Sequence, residues 1–201
     1  MHEKWLNHNV LALLGHILVK MQPISAVRTD GKVVVPAQNE ADSLYQEGFG
    51  SKVEANVLRL ESFEVLYLQE KGKISIIDEE ARRTLSFQEL LWNYSEIDEH
   101  VWTRYLIYRD LRGRGFVARG SSEGRVSFLI YERGSYFKKP PSYMAYTVSE
   151  GLHDTISGLE VALENAKKKD YSMKLAVVDR RGEIVYYSLS KVDLNRSASG
   201  Q

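Results

Sequence analysis

The 201-residue sequence contains no cysteine, has no net charge and has no apolar run long enough to span a bilayer. Without cysteine the chain can form neither a disulfide nor a thiolate zinc site, and it has no cysteine nucleophile. The apolar run Val10–Met21 is too short for a membrane span and is interrupted by His16 and Lys20, so it predicts a buried strand pair broken near Gly15. We therefore expect a globular cytoplasmic protein without a membrane segment.

Histidines are few and scattered, which bears on metal binding. None is three or four residues from another; the five are His2, His8, His16, His100 and His153. Because a helical metal site needs ligands at such spacing, we expect no metal ion, and nothing in the sequence indicates another cofactor. His153, in the segment "SEGLHDT", has two interpretations: an ordinary loop residue or an acid catalyst.

The length suits one large domain or two small ones, and the first third predicts a small sheet with helices. Asp30-Gly31 between two extended segments predicts a hairpin. A helix with Asn39 as its N-cap should follow, and Ser86 with Glu89 has the spacing of a capping box. We predict an N-terminal α+β domain over residues 1–95.

The second half predicts a mixed sheet with helices packed on it, over residues 96–195, followed by a flexible tail at 196–201. Val101, Tyr105, Tyr108 and Leu111 have the spacing of one helix face. The pattern of apolar residues after this helix predicts strands at 116–119, 125–131 and 143–148, a helix at 155–168, and strands at 173–178 and 183–189. The fold class is therefore α+β.

Positive charge is concentrated between Glu99 and Ala145, where nine basic residues exceed four acidic ones by five. Tyrosines lie between these cations, so the segment could contact RNA phosphates and stack on bases, or it could be only a solvated basic face. The candidate RNA-binding residues are Arg125, Arg133, Lys138 and Lys139. A second basic group, Lys167–Lys169, lies at the C-terminus of a predicted helix, where interaction with the helix dipole is a sufficient explanation.

Two further features have open interpretations. Glu150 and Asp154 form an acidic loop that could serve solubility or enter a basic pocket of a partner. The last predicted strand is apolar or aromatic on both faces, so it is either central in its sheet or covered by another subunit. Its candidate contact residues are Ile184, Val185, Tyr186, Tyr187 and Leu189.

Several segments in order along the chain resemble the archaeal tRNA-intron splicing endonucleases. In the first half these are "LYQEGFGSKVEANVLRLESFEVLYLQEKGKISI" and "LSFQEL"; in the second they are "YLIYRDLRGRGFV", "FLIYERG" and "KLAVVDRRGEIVYY". The resemblance implies a C-terminal domain with a restriction-endonuclease-like fold. It also implies metal-independent cleavage of precursor tRNA at bulge–helix–bulge junctions, which leaves a 2′,3′-cyclic phosphate and a 5′-hydroxyl.

The family's catalytic groups are a tyrosine, a histidine and a lysine, and only one is present here. By position, Tyr131 matches the tyrosine, but Pro141 stands for the histidine and Tyr171 for the lysine. Asp170 replaces an arginine that grips bulged bases, and Glu123 lies where a cation or aromatic ring is expected. The resemblance therefore implies a chain with the shape of the active site but without its chemistry.

Such a chain is expected to be the structural subunit of a heterotetramer with a catalytic paralogue, contacting precursor tRNA through the complex. Glu150 and Asp154 align with the family's acidic insertion loop, and 184–189 aligns with its subunit-pairing strand. Two alternatives stay open. One is an active endonuclease with a rearranged site that uses Tyr131, His153 and Lys138 or Lys174. The other is a stand-alone RNA-binding module.

Overall fold

The computed structural model describes residues 22–53, 57–122, 126–150 and 155–190. Within these ranges the chain forms five helices and eleven strands in two sheets, so the predicted α+β class is confirmed. None of the described helices has the length and apolar character needed to cross a membrane. The predicted strand pair at Val10–Met21 and the predicted tail at 196–201 lie outside the described residues.

The first half forms a six-stranded sheet in the order β3-β4-β2-β1-β5-β6, with β1 parallel to β5. Its elements are β1 (Ile24–Thr29), β2 (Lys32–Val35), α1 (Gln38–Gln46), β3 (Ser51–Lys52), β4 (Leu58–Leu60), α2 (Ser62–Glu70), β5 (Ile74–Asp78), β6 (Arg83–Thr84) and α3 (Phe87–Ser95). The predicted hairpin is confirmed: Asp30 and Gly31 both have positive φ, as a two-residue turn of this kind requires.

Helix ends in the first half test the predicted caps. Ser86 accepts a hydrogen bond from the Glu89 N–H at 3.3 Å and the Glu89 carboxylate accepts one from the Ser86 N–H, so the predicted capping box of α3 is confirmed. The predicted N-cap at Asn39 is wrong, because α1 begins at Gln38 after an extended Ala37. Asn39 is therefore a residue of the first turn rather than its cap.

The second half forms a five-stranded sheet in the order β11-β10-β9-β8-β7, with β9 parallel to β10. Its elements are α4 (Val101–Gly113), β7 (Val117–Gly120), β8 (Val126–Tyr131), β9 (Tyr143–Ser149), α5 (Ile156–Lys168), β10 (Ser172–Val178) and β11 (Ile184–Leu189). The predicted element order is confirmed, with most limits within one residue. The domain limits 1–95 and 96–195 stay a prediction.

The larger buried cluster joins the two halves. Phe63 of α2 packs against Tyr108 of α4 and Phe128 of β8, with ring centroids 4.9 and 5.1 Å apart. Residues of the first sheet belong to the same cluster as residues of α4 and of β8 to β10. A smaller cluster lies between α5 and the second sheet. The second sheet is therefore covered by α4 on one face and by α5 on the other.

Candidate functional site

Tyr131, the last residue of β8, lines an open pocket of about 440 Å³. The other lining residues are Tyr136, Phe137, Lys138, Lys139 and Pro140. Partial burial raises the pKa of the Tyr131 phenol above its ordinary value, and the nearby Tyr171 raises it further. The phenol is therefore protonated at neutral pH and can donate a hydrogen bond, but it is a poor source of phenolate.

The sequence resemblance places Pro141 at the position of the family's catalytic histidine. Pro141 is buried, and the next residue is fixed beside β8 by a 2.9 Å hydrogen bond from the Ser142 N–H to the Ile130 carbonyl. A proline side chain has no proton to give or accept. The backbone at this position is therefore fixed beside β8, and Pro141 supplies no acid there.

The resemblance places Tyr171 at the position of the family's catalytic lysine, and Tyr171 is a packed residue. The Tyr171 N–H donates to the Ala166 carbonyl at 2.9 Å as the chain leaves α5 through Asp170, whose φ is +58°. The Tyr171 ring packs against the smaller cluster. Asp170 and Tyr171 therefore end a helix and cover a core, and neither supplies a positive charge.

Arg119 is the cation whose charge acts on Tyr131, but its hydrogen bonds are used elsewhere. Its guanidinium donates to the carbonyls of Gly48 and Gly50 at 3.1 and 2.5 Å, and it lies 3.1 Å from the carboxylate of Glu64. Glu64 is fully buried and also accepts from the Gly50 and Glu61 N–H groups. Burial raises the pKa of Glu64, while Arg119 opposes that rise.

This buried pair was missed at the sequence level. The available signal was a lone carboxylate, Glu64, inside the otherwise apolar run "FEVLYL" of α2, since a buried charge needs a partner. Sequence could not name the partner, because Arg119 lies 55 residues away in the other half. Through Arg119 the pair ties β7 to the turn at Gly48 and Gly50.

The predicted RNA-binding cations lie in two places. Lys138 and Lys139 are exposed and line the Tyr131 pocket. Arg133 lies over the Phe116 ring, 5.9 Å from its centroid. Arg125 and Glu123 lie outside the described residues. Only the two lysines are therefore shown to share the pocket with the tyrosine.

Of the groups of the rearranged site, the described residues bring together only Tyr131 and Lys138. Lys138 lies with Tyr131, but Lys174 donates to Ser188 at 2.8 Å and lines a different pocket. His153 lies outside the described residues. Among the described residues, no group of three or more histidines or acids could hold a metal ion.

Comparison with known proteins identifies the family. Residues 24–91 match the model for the tRNA intron endonuclease N-terminal domain, and residues 101–186 match the model for the tRNA intron endonuclease catalytic C-terminal domain. The chain belongs to the tRNA intron endonuclease family. The part matched to the catalytic domain includes Tyr131, Pro141 and Tyr171.

Curated relatives support the same family along most of the chain. The tRNA-splicing endonuclease of Methanococcus maripaludis is 30% identical over 171 residues, covering 85% of this chain and 96% of the relative. That of Thermococcus onnurineus is 27% identical, covering 85% and 98%. That of Pyrococcus furiosus is 30% identical, covering 71% and 80%. The resemblance stated from the sequence motifs is thereby confirmed.

The strand predicted to have two apolar faces, β11, lies at the edge of its sheet. The interpretation of β11 as a central strand is therefore wrong, because β10 pairs with it on one side only among the described strands. Its inner face is covered: Tyr186 packs against the larger cluster and donates to Asp110 at 2.9 Å. On the other face Val185 and Tyr187 are 49% and 53% exposed.

The predicted acidic loop is described only at its start. Glu150 is exposed, and its carboxylate accepts from the Arg180 N–H at 3.2 Å and lies 3.6 Å from the Arg180 guanidinium. Asp154 lies outside the described residues. Both groups of the Glu150–Arg180 pair are largely exposed, so Glu150 is accessible to another chain.

Proposed function

We propose that this chain is the structural subunit of a tRNA-intron splicing endonuclease. It assembles with a catalytic paralogue as a heterotetramer and positions that subunit to cut precursor tRNA at bulge–helix–bulge junctions without metal. One observation carries the proposal: the pocket at Tyr131 keeps a phenol, while a buried Pro141 and a packed Tyr171 stand where an acid and a cation belong.

The missing groups correspond to large rate losses. Cleavage at a ribose 2′-hydroxyl needs a base for that hydroxyl, an acid for the leaving oxygen and a cation for the charge that develops on phosphorus. A general acid contributes about a hundred- to ten-thousand-fold, and a positioned charge partner contributes a further two to three orders of magnitude, roughly. A chain that lacks both therefore depends on another subunit for the chemistry.

Two surfaces support assembly with a partner. The exposed face of β11 presents Val185 and Tyr187 beside an edge that can accept another strand. Glu150 supplies an exposed carboxylate that can meet a basic pocket of the other subunit. The edge of β11 would contribute buried apolar area and backbone hydrogen bonds to the interface. The acidic loop would fix the orientation of the partner subunit.

The first test is cleavage of an intron-bearing precursor tRNA by the purified chain. Alone it should release no intron above the uncatalysed background; mixed with a His- and Lys-bearing catalytic paralogue, it should give cleavage that the paralogue alone does not. Gel analysis of the RNA fragments measures both results. Tyr131→Phe in this chain should change the reconstituted rate less than twofold, because Tyr131 touches no reacting atom. Intron release by this chain alone, lost in the Tyr131→Phe variant, would favour the rearranged active site and refute the proposal.

A second test concerns the acidic loop. Glu150→Lys combined with Asp154→Lys should abolish heterotetramer formation without unfolding the chain, because two charges meant for a basic pocket become repulsive. Light scattering measures the mass of the mixture, and circular dichroism checks the fold. The matched control is Glu79→Lys with Glu80→Lys, which reverses two exposed acids of the first half. Equal assembly by the loop variant and the control would show that the loop has no such role.

A further inference from the structure

Four aromatic rings form a continuous ladder across the pocket at Tyr131. Tyr131 and Tyr136 are edge-to-face at 5.0 Å, Tyr136 and Phe137 are 4.1 Å apart, and Phe137 lies 5.4 Å from Tyr45 of α1. The ladder thus begins in the first half of the chain and ends at the family's catalytic tyrosine. Among these rings Phe137 is the exposed one, with 60% of its surface accessible.

Phe137 holds an unfavourable backbone conformation. It is the third residue of a turn closed by a 2.9 Å hydrogen bond from the Lys138 N–H to the Ser135 carbonyl, and its φ is +64°. Glycine or asparagine is favoured there, and a bulky residue is an outlier. Because the Phe137 ring is largely exposed, its burial stabilises the fold too little to offset the cost of the positive φ. The sequence has therefore kept an aromatic side chain where local stability would favour glycine.

The charge around Phe137 suits a polyanion. Lys138 and Lys139 follow it directly, line the same pocket and, in the described part of the chain, have no ion-pair partner. Lys52 lies 5.2 Å from the centroid of the Tyr45 ring at the other end of the ladder, but it forms an ion pair with Asp42. An exposed aromatic ring beside unpaired cations, as Phe137 has in Lys138 and Lys139, is a feature by which proteins bind single-stranded nucleic acid.

We propose that Phe137, backed by Tyr45 and Tyr136, is a stacking platform for an unpaired RNA base, with Lys138 and Lys139 on the adjoining phosphates. This deepens the proposed function and rests on it: a pocket that has lost its chemistry retains a role as an RNA-holding site. The occupant is single-stranded RNA rather than a protein, because the lysines that frame the rings complement phosphate.

The deciding variant is Phe137→Gly in the full chain, tested by fluorescence anisotropy with a ten-nucleotide RNA that cannot pair with itself. Stacking on one aromatic side chain corresponds to about 5- to 150-fold in affinity, so the variant should bind at least about fivefold more weakly. Its unfolding midpoint should be unchanged or higher, because glycine accepts the positive φ without strain. Phe137→Tyr, which keeps the ring, should bind within about twofold of the parent.

Two controls separate base stacking from charge. An oligomer of the same length without bases should bind the parent chain and the Phe137→Gly variant equally. Replacing both Lys138 and Lys139 with alanine should reduce the slope of log affinity against log salt by about 1.4, at about 0.7 per phosphate contact in single strands. Phe137→Gly should leave that slope unchanged, because no cation is removed.

Several outcomes would overturn this inference. The first is that the parent chain shows no measurable RNA binding, and the second is that the Phe137→Gly variant binds RNA with the parental affinity. The third is that Phe137→Gly weakens binding of the oligomer without bases as much as binding of RNA. The fourth is that Phe137→Gly keeps its RNA affinity but no longer binds the partner subunit, which would indicate a protein-contact surface. Intron cleavage by the lone chain would refute the structural-subunit proposal but leave the stacking result intact, so the two failures can be told apart.

Discussion

Replacing Arg119 with methionine should lower the free energy of unfolding by about 3–5 kcal/mol. Methionine preserves most of the side-chain length but leaves the fully buried Glu64 without its countercharge. The same change removes the hydrogen bonds that Arg119 donates to Gly48 and Gly50. Urea denaturation followed by circular dichroism measures the loss, provided that the transition stays two-state.

The matched control for this prediction is Arg109→Met. Arg109 pairs with Glu70 at 3.3 Å, but the two side chains are 43% and 32% exposed. Exposed pairs of this kind contribute about 0–1 kcal/mol. If the two variants lost similar free energy, the Arg119–Glu64 pair would not be the tie between the halves that the geometry indicates.

The pH dependence gives an independent check on the same pair. The pKa of Glu64 is raised in the folded chain, so the folded state is penalised above that pKa and the penalty is relieved as pH falls toward the unfolded value of 4.5. Removing Arg119 removes an interaction that lowers this pKa, and the pKa therefore rises further. The loss in free energy of unfolding caused by Arg119→Met should accordingly be larger at pH 7 than at pH 5.

The second large effect is expected at the outer face of β11. Val185→Asp with Tyr187→Asp should weaken association with the catalytic subunit by at least about a hundredfold, because it removes two apolar contacts and places charge in a desolvated interface. Both side chains are about half exposed, so the isolated chain should stay folded. Analytical ultracentrifugation of the mixed subunits measures the change in affinity.

Ile97→Asp is the comparison variant for this experiment. Ile97 is 80% exposed in the connection between α3 and α4, so the substitution adds the same kind of charge on a different surface. It should leave association within about threefold of the parent. Association by the β11 variant that matched this control would show that the subunits meet through another surface.

Local chemistry made much of the fold predictable from the sequence. Asp30-Gly31 fixes a hairpin because two consecutive residues must have positive φ there, and Ser86 with Glu89 fixes a helix start through reciprocal hydrogen bonds. The alternation of Val126–Tyr131 likewise matches a strand buried on one face. Each of these signals lies within a few neighbouring residues.

The features that sequence patterns did not predict depend on distant contacts. The partner of Glu64 lies 55 residues along the chain, and no local pattern encodes that pairing. The two apolar faces of β11 were compatible with a central strand or an edge strand, and only the strand order decided between them. The positive φ of Phe137 could not be predicted, because the sequence has no glycine at this position.

Pro141 and Tyr171, which we propose stand in place of a catalytic histidine and lysine, both have structural roles. Pro141 is buried and the following backbone still bonds to β8, so the loop is held without a histidine. Tyr171 packs against the smaller cluster. Both residues contribute to packing, so the variants Pro141→His and Tyr171→Lys would have to displace existing contacts.

The unpaired side of β11 has a consequence for how the unassembled chain behaves. Among the described residues nothing covers its outer edge, and exposed edges of this kind invite pairing with any available strand. In the proposed assembly a partner covers this edge, so the chain would be prone to such pairing only while it is unassembled. Under the proposed assembly, the purified chain should therefore associate with itself more readily when it is alone than when it is mixed with its partner.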